Sequence, residues 1–388
     1  MAIPISYNLR SLIQRPVSTA ATAIGIALVV SILIGALALA AGFQAALVQT
    51  GSTENAMVLR KGADSEISSG ISREQASIIT THPAIATTPD GRRLASPELV
   101  VVTNLPRLGQ SGSSNVPIRG IQPAGLALRS QVKIVEGRMF TPGSDELIVG
   151  QRMSGRFANC KVGDELHFGQ RSFHVVGHFT AAGTAFESEI WGDESVLGPA
   201  FSREGFQSVT FRMKDPAQIA AIKKQLETDP RLGVQVSTER QFYSGQSQLL
   251  AGVIRVAGVF IVLIMAVGAI FGAINTMYAA VGARTREIAT LQILGFSPLS
   301  VMVSLMIESV LLALLGGVLG CLLALPINGI TTSTTNWASF SEVAFAFRVT
   351  PPALLAGMIF AAGMGLLGGF LPALRAARQP LAKSVREL

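Results

Sequence analysis

The segment LLAGVIRVAGVFIVLIMAVGAIFGAINTMYAAVGARTREIATLQILG, residues 249–295, decides the fold class. From Leu249 to Val281 it carries a single charge, Arg255, and a helix of that length crosses roughly 30 Å of hydrocarbon. The character then changes: Arg284, Arg286 and Glu287 come first, Ile288, Leu291 and Leu294 share one helical face, and Gly295 is placed to end a helix. A second apolar run, Ser300 to Ile330, follows at once. Two crossings joined by a short amphipathic helix are the expectation.

Working outward, Val17 to Ala41 and Ala353 to Leu371 are apolar runs of similar kind, so four spans are expected. The composition agrees, because 49% hydrophobic and 14% charged residues in 388 are too apolar a mixture for an ordinary soluble protein. The net charge of +7 is explained by where it sits. Between Phe43 and Gln248 there are 21 basic and 20 acidic residues, whereas Arg10, Arg15, Arg284, Arg286, Arg375, Arg378, Lys383 and Arg386 face only Glu287 and Glu387. This is the positive-inside pattern of a chain whose termini and middle turn are cytoplasmic, and it leaves no basic patch for nucleic acid. The first run exceeds the core of a signal peptide, so it reads as a retained anchor, although Ala38-Leu39-Ala40 resembles a processing site. Cys160 and Cys321 fall in different regions, and no disulfide framework is implied.

The fold class expected is a membrane α-helical protein of four transmembrane helices with a large α+β extracytoplasmic domain between the first and second. Its layout is a cytoplasmic amphipathic helix over 1–16, spans over 17–42, 249–282, 299–330 and 351–372, and the outer domain over 43–248. A cytoplasmic turn helix covers 283–298, an outer loop 331–350 and a basic tail 373–388. In the first helix Ile5, Leu9, Leu12 and Ile13 share a face suited to the membrane surface. Within the outer domain Met57–Arg60, Glu98–Thr103, Glu146–Val149, Glu165–Phe168, Ser172–Val176 and Ser208–Met213 read as strands. Ser72–Thr80 and Pro216–Glu227 read as helices, the first with Ser72 as its cap. About 200 residues allow one large or two small cores.

A phosphate-binding loop needs a Gly-Lys pair before Ser or Thr, and none occurs, so no nucleotide cofactor is expected in this chain. Signatures of metallohydrolases and serine hydrolases are missing as well, so no catalytic residue and no metal is expected. His174 and His178 read as a solvated strand face rather than a metal pair. Glu308, about two turns into the third span, reads as an isolated carboxylate with no intramembrane partner, and a structural or conformational role is favoured over proton relay. Arg255 is expected to snorkel to the interface. The pairs Gly268/Gly272, Gly316/Gly320 and Gly365/Gly369 are read as intramolecular helix packing. The turn after Ala283 is longer than a plain connector needs, which suits a surface that a soluble ATPase could grip.

The stretch Asn275 to Gly295 resembles the signature of permeases of the MacB/FtsX/lipoprotein-release superfamily of ABC transporters. Three other stretches agree: Asn8 to Gly25-Ile26; Glu136-Gly137-Arg138-Met139-Phe140 leading to Ile148-Val149-Gly150 and Val162-Gly163-Asp164; and Pro372 through Pro380. The resemblance implies a non-catalytic permease of the bacterial inner membrane with a MacB-like periplasmic core domain. It implies a partner ABC ATPase dimer, holding ATP and Mg, on a separate chain that grips Arg284, Arg286, Glu287, Ile288, Leu291, Leu294 and Gly295. A second permease copy, membrane lipids and a periplasmic membrane-fusion adaptor complete the implied partners. Mechanotransmission would then export or extract an amphiphile, a lipid, lipoprotein, peptide or hydrophobic toxin; the alternative is an FtsX-like transmitter regulating a cell-wall hydrolase. One departure is Gln292, where members often carry arginine.

Overall fold

The computed structural model describes residues 4–109, 111–168 and 171–378, leaving aside the side chains of Ile5, Ser6 and Leu9. The expected apolar positions Ile5 and Leu9, and Gln379, Pro380, Lys383, Arg386 and Glu387 of the tail, lie outside that description. In chain order the elements are α1 (Ile5–Gln14), α2 (Pro16–Val48), β1 (Asn55–Arg60), α3 (Arg73–Thr80), β2 (Ala95–Pro106), β3 (Ser113–Ile121), α4 (Pro123–Ala127) and β4 (Lys133–Gly137). Then come β5 (Glu146–Gly150), β6 (Glu165–Phe168), β7 (Arg171–Thr180), β8 (Ile190–Asp193), α5 (Glu194–Ala200), β9 (Ser208–Arg212), α6 (Ile219–Thr228) and β10 (Val234–Thr238). The remainder is α7 (Glu239–Ala283), α8 (Thr285–Ile293), α9 (Pro298–Ala324), β11 (Thr331–Asn336), β12 (Ser341–Ala346) and α10 (Pro351–Ala377).

These form two compact units. One holds Met1–Ala41, Gly252–Ile330 and Phe347–Leu388; the other holds Gly42–Ala251 and Thr331–Ala346. Among the described residues four helices, α2, α7, α9 and α10, are long and apolar enough to cross a membrane. In the helical unit α9 and α10 start on proline at the first turn, after Ser297 and Thr350, whose hydroxyls accept from the backbone N–H of Ser300 and Ala353. Their interiors join Ile26, Val30 and Ile34 of α2 with Val262, Ala313, Ala361 and Met364 in one apolar core.

The sheet unit is built on ten strands in the order β10-β1-β9-β2-β3-β8-β5-β7-β4, with β6 on β7. Strand β2 changes partner midway: Ala95–Glu98 pairs antiparallel with β9, and Leu99–Pro106 with β3. The unit accordingly has two cores on one sheet. Val58, Ile79, Phe211, Leu226 and Val236 pack in the first, Ile118, Leu147, Phe173, Ile190 and Leu197 in the second. Helix α3 is entered through a reciprocal capping box of Ser72 and Gln75. The hairpin β11/β12, expected as an outer loop, belongs to this unit: Ala344 N–H donates to Ser188 Oγ at 2.9 Å, and Phe345 stacks edge-on against Phe43.

Cys160 is buried in the second core, and burial, helped by Asp164, pushes its thiol up to about 12. In a Cys321→Ser background the native protein should alkylate with iodoacetamide at pH 8 more than about 100-fold slower than a free thiol, because thiolate is the nucleophile. Comparable labelling rates before and after denaturation would contradict the buried placement.

Candidate functional site

Arg284 ends the long helix α7 and starts α8, its backbone off helical at φ −117° and ψ 17°. Helix α8 then runs nine residues to Leu294, and Gly295 takes a φ of +94°, a left-handed conformation in which glycine meets no steric penalty. The predicted site residues divide between two faces. Ile288 is 5% exposed and packs with Met277, Val281, Val301, Leu305, Ala373 and Ala376, and Arg284 is 6% exposed. Arg286, Glu287 and Leu294 lie outside, Leu291 is half-buried, and Ile293, which the sequence reading passed over, is 60% exposed beside Leu294 at 67%. Ile288 therefore does not share an outward face with Leu294, since six positions of an α-helix rotate the side chain by about 240°. Gln292 is half-buried, with its amide nitrogen unpartnered among the described residues.

Glu308 is not isolated. It is 5% exposed on α9, its Oε1 accepts from the Ser11 hydroxyl of α1, and its Oε2 accepts from Arg284 Nη1 at 3.4 Å. Arg284 Nε lies 3.6 Å from Glu287 Oε2, which also accepts from the Tyr7 hydroxyl at 3.0 Å, and the Arg284 guanidinium stands 5.7 Å from the Tyr7 ring centre. Ser304 Oγ donates to Asn8 Oδ1 at 2.7 Å. Sequence spacing hid this cluster because its partners are about 300, 24 and 280 positions apart.

Of the three glycine pairs, two sit at helix contacts within the helical unit. A Cβ on Gly316 would meet the Ala23 carbonyl oxygen at 2.8 Å, one on Gly320 the Ala27 carbonyl oxygen at 2.7 Å, and ones on Gly365 and Gly369 would press into Ala313 and Ser309. Gly268 and Gly272 have no such neighbour among the described residues; they lie on an exposed face of α7 with Phe260, Ile264 and Phe271. The expectation of intramolecular packing fails there. Arg255 is exposed on α7.

The sheet unit holds a second polar assembly, which the sequence reading missed. Arg119 of β3 is 1% exposed and donates from Nε to Glu189, from Nη1 to Glu66 and Glu98, and from Nη2 to Glu66 and Glu189, at 2.7 to 3.0 Å. Glu98 stands where β2 changes partner and also accepts from Arg129 at 2.5 and 2.9 Å. Arg129 reaches Glu239 at 3.4 Å, and Glu239, first residue of α7, accepts from Ser52 N–H and Asn55 Nδ2. Burial alone would raise the Glu66 carboxyl, but the Arg119 charge and its hydrogen bonds outweigh that and hold it below its ordinary value. The cluster thus ties both lobes of the sheet to the first turn of α7 and to the segment after α2. On the hairpin, buried Glu342 pairs with Arg107 and Arg156.

His178 is also buried rather than solvated, with Nδ1 2.8 Å from Glu136 Oε2 and Nε2 2.7 Å from the Cys160 carbonyl. The cause is the irregular register of β4 and β5 against β7, which turns His178 inward while His174 stays outside.

Two family models match the chain: "MacB-like periplasmic core domain" over residues 19–229 and "FtsX-like permease C-terminal" over 259–381. The macrolide export ATP-binding/permease protein MacB of Bordetella avium is 26% identical over 75% of this chain and 46% of its own length. The pyoverdine export ATP-binding/permease protein PvdT of Pseudomonas entomophila is 27% identical over 63% of this chain and 39% of its own. The uncharacterized ABC transporter permease YknZ of Bacillus subtilis is 23% identical over 68% of each. The chain spans less than half the length of the two export proteins. With a core-domain match across more than half of its residues and the permease match following in order, the chain belongs to the MacB/FtsX family of ABC transporter permeases.

Proposed function

We propose that this chain spans the bacterial inner membrane four times, with both ends and α8 in the cytoplasm and the sheet unit outside. It couples ATP and Mg-dependent hydrolysis, by an ATPase outside these 388 residues, to movements of the sheet unit that export or extract an amphiphilic substrate. The observation that carries this reading is α8, a short helix between two apolar helices that displays Ile293 and Leu294 beside Arg286 and Glu287. Apolar side chains of that size ringed by charge are the chemistry of a protein interface. α7 supports it as well, since its 45 residues run from Glu239, a member of the ion cluster, to the residue before this turn. A thrust on α8 would be delivered along that helix. The open face of α7 around Gly268 and Gly272 is the surface offered to a second permease copy. The names of MacB and PvdT favour export over wall-hydrolase control, and a periplasmic adaptor fits the same reading.

The test is the grip. In cells, Ile293→Asp with Leu294→Asp should lower the ATPase co-purifying with the chain by about tenfold or more, as expected for loss of apolar anchors at an interface. The variant should remain in the membrane, because both side chains lie outside the packed core. Undiminished co-purification would overturn the assignment of α8.

A further inference from the structure

The proposed coupling leaves open how a nine-residue helix could pass force to the spans rather than fold against the turn that carries it. A helix this short is marginal in isolation and depends on tertiary contacts for its direction. On α8 those contacts are few and specific: Ile288 and Ala289 are buried, and Arg284 at its start reaches a carboxylate on another helix. That carboxylate, Glu308, stands ten positions past Pro298, about 15 Å along α9, where an unpaired charge would be costly. Its oxygens are divided, one to Ser11 of α1 and one to Arg284. Tyr7 of α1 closes the circuit by donating to Glu287 of α8, and Asn8 joins α1 to Ser304 of α9.

We propose that Glu308 is a positioning residue for α8, and that α1 is part of the coupling apparatus. Through Arg284, Glu308 sets the angle at which α8 leaves α7; through Ser11 it fastens α1 to α9; through Tyr7 and Glu287, α1 braces the outer side of α8. α8, α9 and the sequence-remote α1 thereby move as one piece under load. With both oxygens engaged by partners from α1 and the α8 turn, Glu308 has the geometry of an anchor rather than of a proton carrier. The proposal rests on the reading of α8 as the ATPase contact, but its first test does not.

Spin labels placed at Gln14 and Thr290, in a chain with Cys160 and Cys321 replaced by serine, report the α1 to α8 distance in nanodiscs of phosphatidylethanolamine and phosphatidylglycerol. The parent should give one narrow distribution. Glu308→Gln should at least double its width, Glu308→Asp should restore most of the narrowness, and Tyr7→Phe, which removes one hydroxyl outside the packed core, should broaden it by a smaller factor. Equal widths in the parent, Glu308→Gln and Tyr7→Phe would overturn the proposal. The second test uses the complex with its ATPase. Glu308→Gln should retain the ATPase within about twofold yet lose the ATP-dependent change in tryptic cleavage of the sheet unit, whereas an unaltered ATP-dependent change would overturn it. If Ile293→Asp with Leu294→Asp leaves ATPase binding intact while Glu308→Gln still broadens the distance, the assignment of α8 fails and the bracing role stands.

Discussion

Replacing Arg119 by alanine is expected to unfold the sheet unit at a temperature about 10 °C below the parent. All five of its N–H donors are spent on three carboxylates, and only 1% of the residue is exposed. Removing one member of such a buried assembly leaves uncompensated charge, a loss of ~3–5 kcal/mol, and a domain of 150–250 residues shifts by roughly 2–4 °C per kcal/mol. Arg119→Lys should rescue little, because an ammonium cannot reproduce the planar fork that serves Glu66, Glu98 and Glu189 together. Arg231→Ala, which breaks an exposed pair with Asp229, should leave the transition in place. The measurement is tryptophan fluorescence during thermal unfolding of the full chain in detergent: Trp191 is fully buried and donates from Nε1 to Glu189 at 2.7 Å, so it reports on the cluster directly. A parent-like transition for Arg119→Ala would mean that the carboxylates find other partners.

The second large effect concerns helix packing. Gly320→Val should abolish accumulation of folded protein, since the first added carbon already lands 2.7 Å from the Ala27 carbonyl oxygen and 2.8 Å from Val30 Cβ. Neither is the far end of a flexible side chain, so α9 would have to leave α2; ordinary overpacking costs about 1–3 kcal/mol and this exceeds it by involving backbone. Gly272→Val should accumulate normally, because no atom of the described residues lies within 4 Å of its added carbon. Membrane-fraction yield and a monodisperse elution profile in detergent separate the two. Equal behaviour of the variants would show that α2 and α9 do not pack at Gly320. Defective self-association of Gly272→Val, with yield intact, is the result expected if a second copy packs on that face of α7.

Local grammar made several elements readable. Ser72 announces the start of α3 as its cap, and the runs Met57–Arg60 and Ser208–Met213 announce β1 and β9. Strands β3, β4, β8 and β10 went unread. β3 has Pro117 within it, a residue that demotes a run, and β8 is only four residues long. His178 lies on the side opposite to the one its spacing predicts because an irregular register shifts the two-residue alternation, and alternation is all that the sequence displays.

The sequence by itself determined the long apolar helices, the amphipathic turn and the family, because apolar length, helical period and local motif are properties of neighbouring residues. Only the tertiary structure decided which charges are buried together. Glu308 meets Ser11 and Arg284, Arg119 gathers Glu66, Glu98 and Glu189, and Glu342 draws the hairpin into the sheet unit, each across a separation with no periodic trace. A buried charge is tolerated only where the fold brings its partner to it, so those pairings come into being with the packing itself.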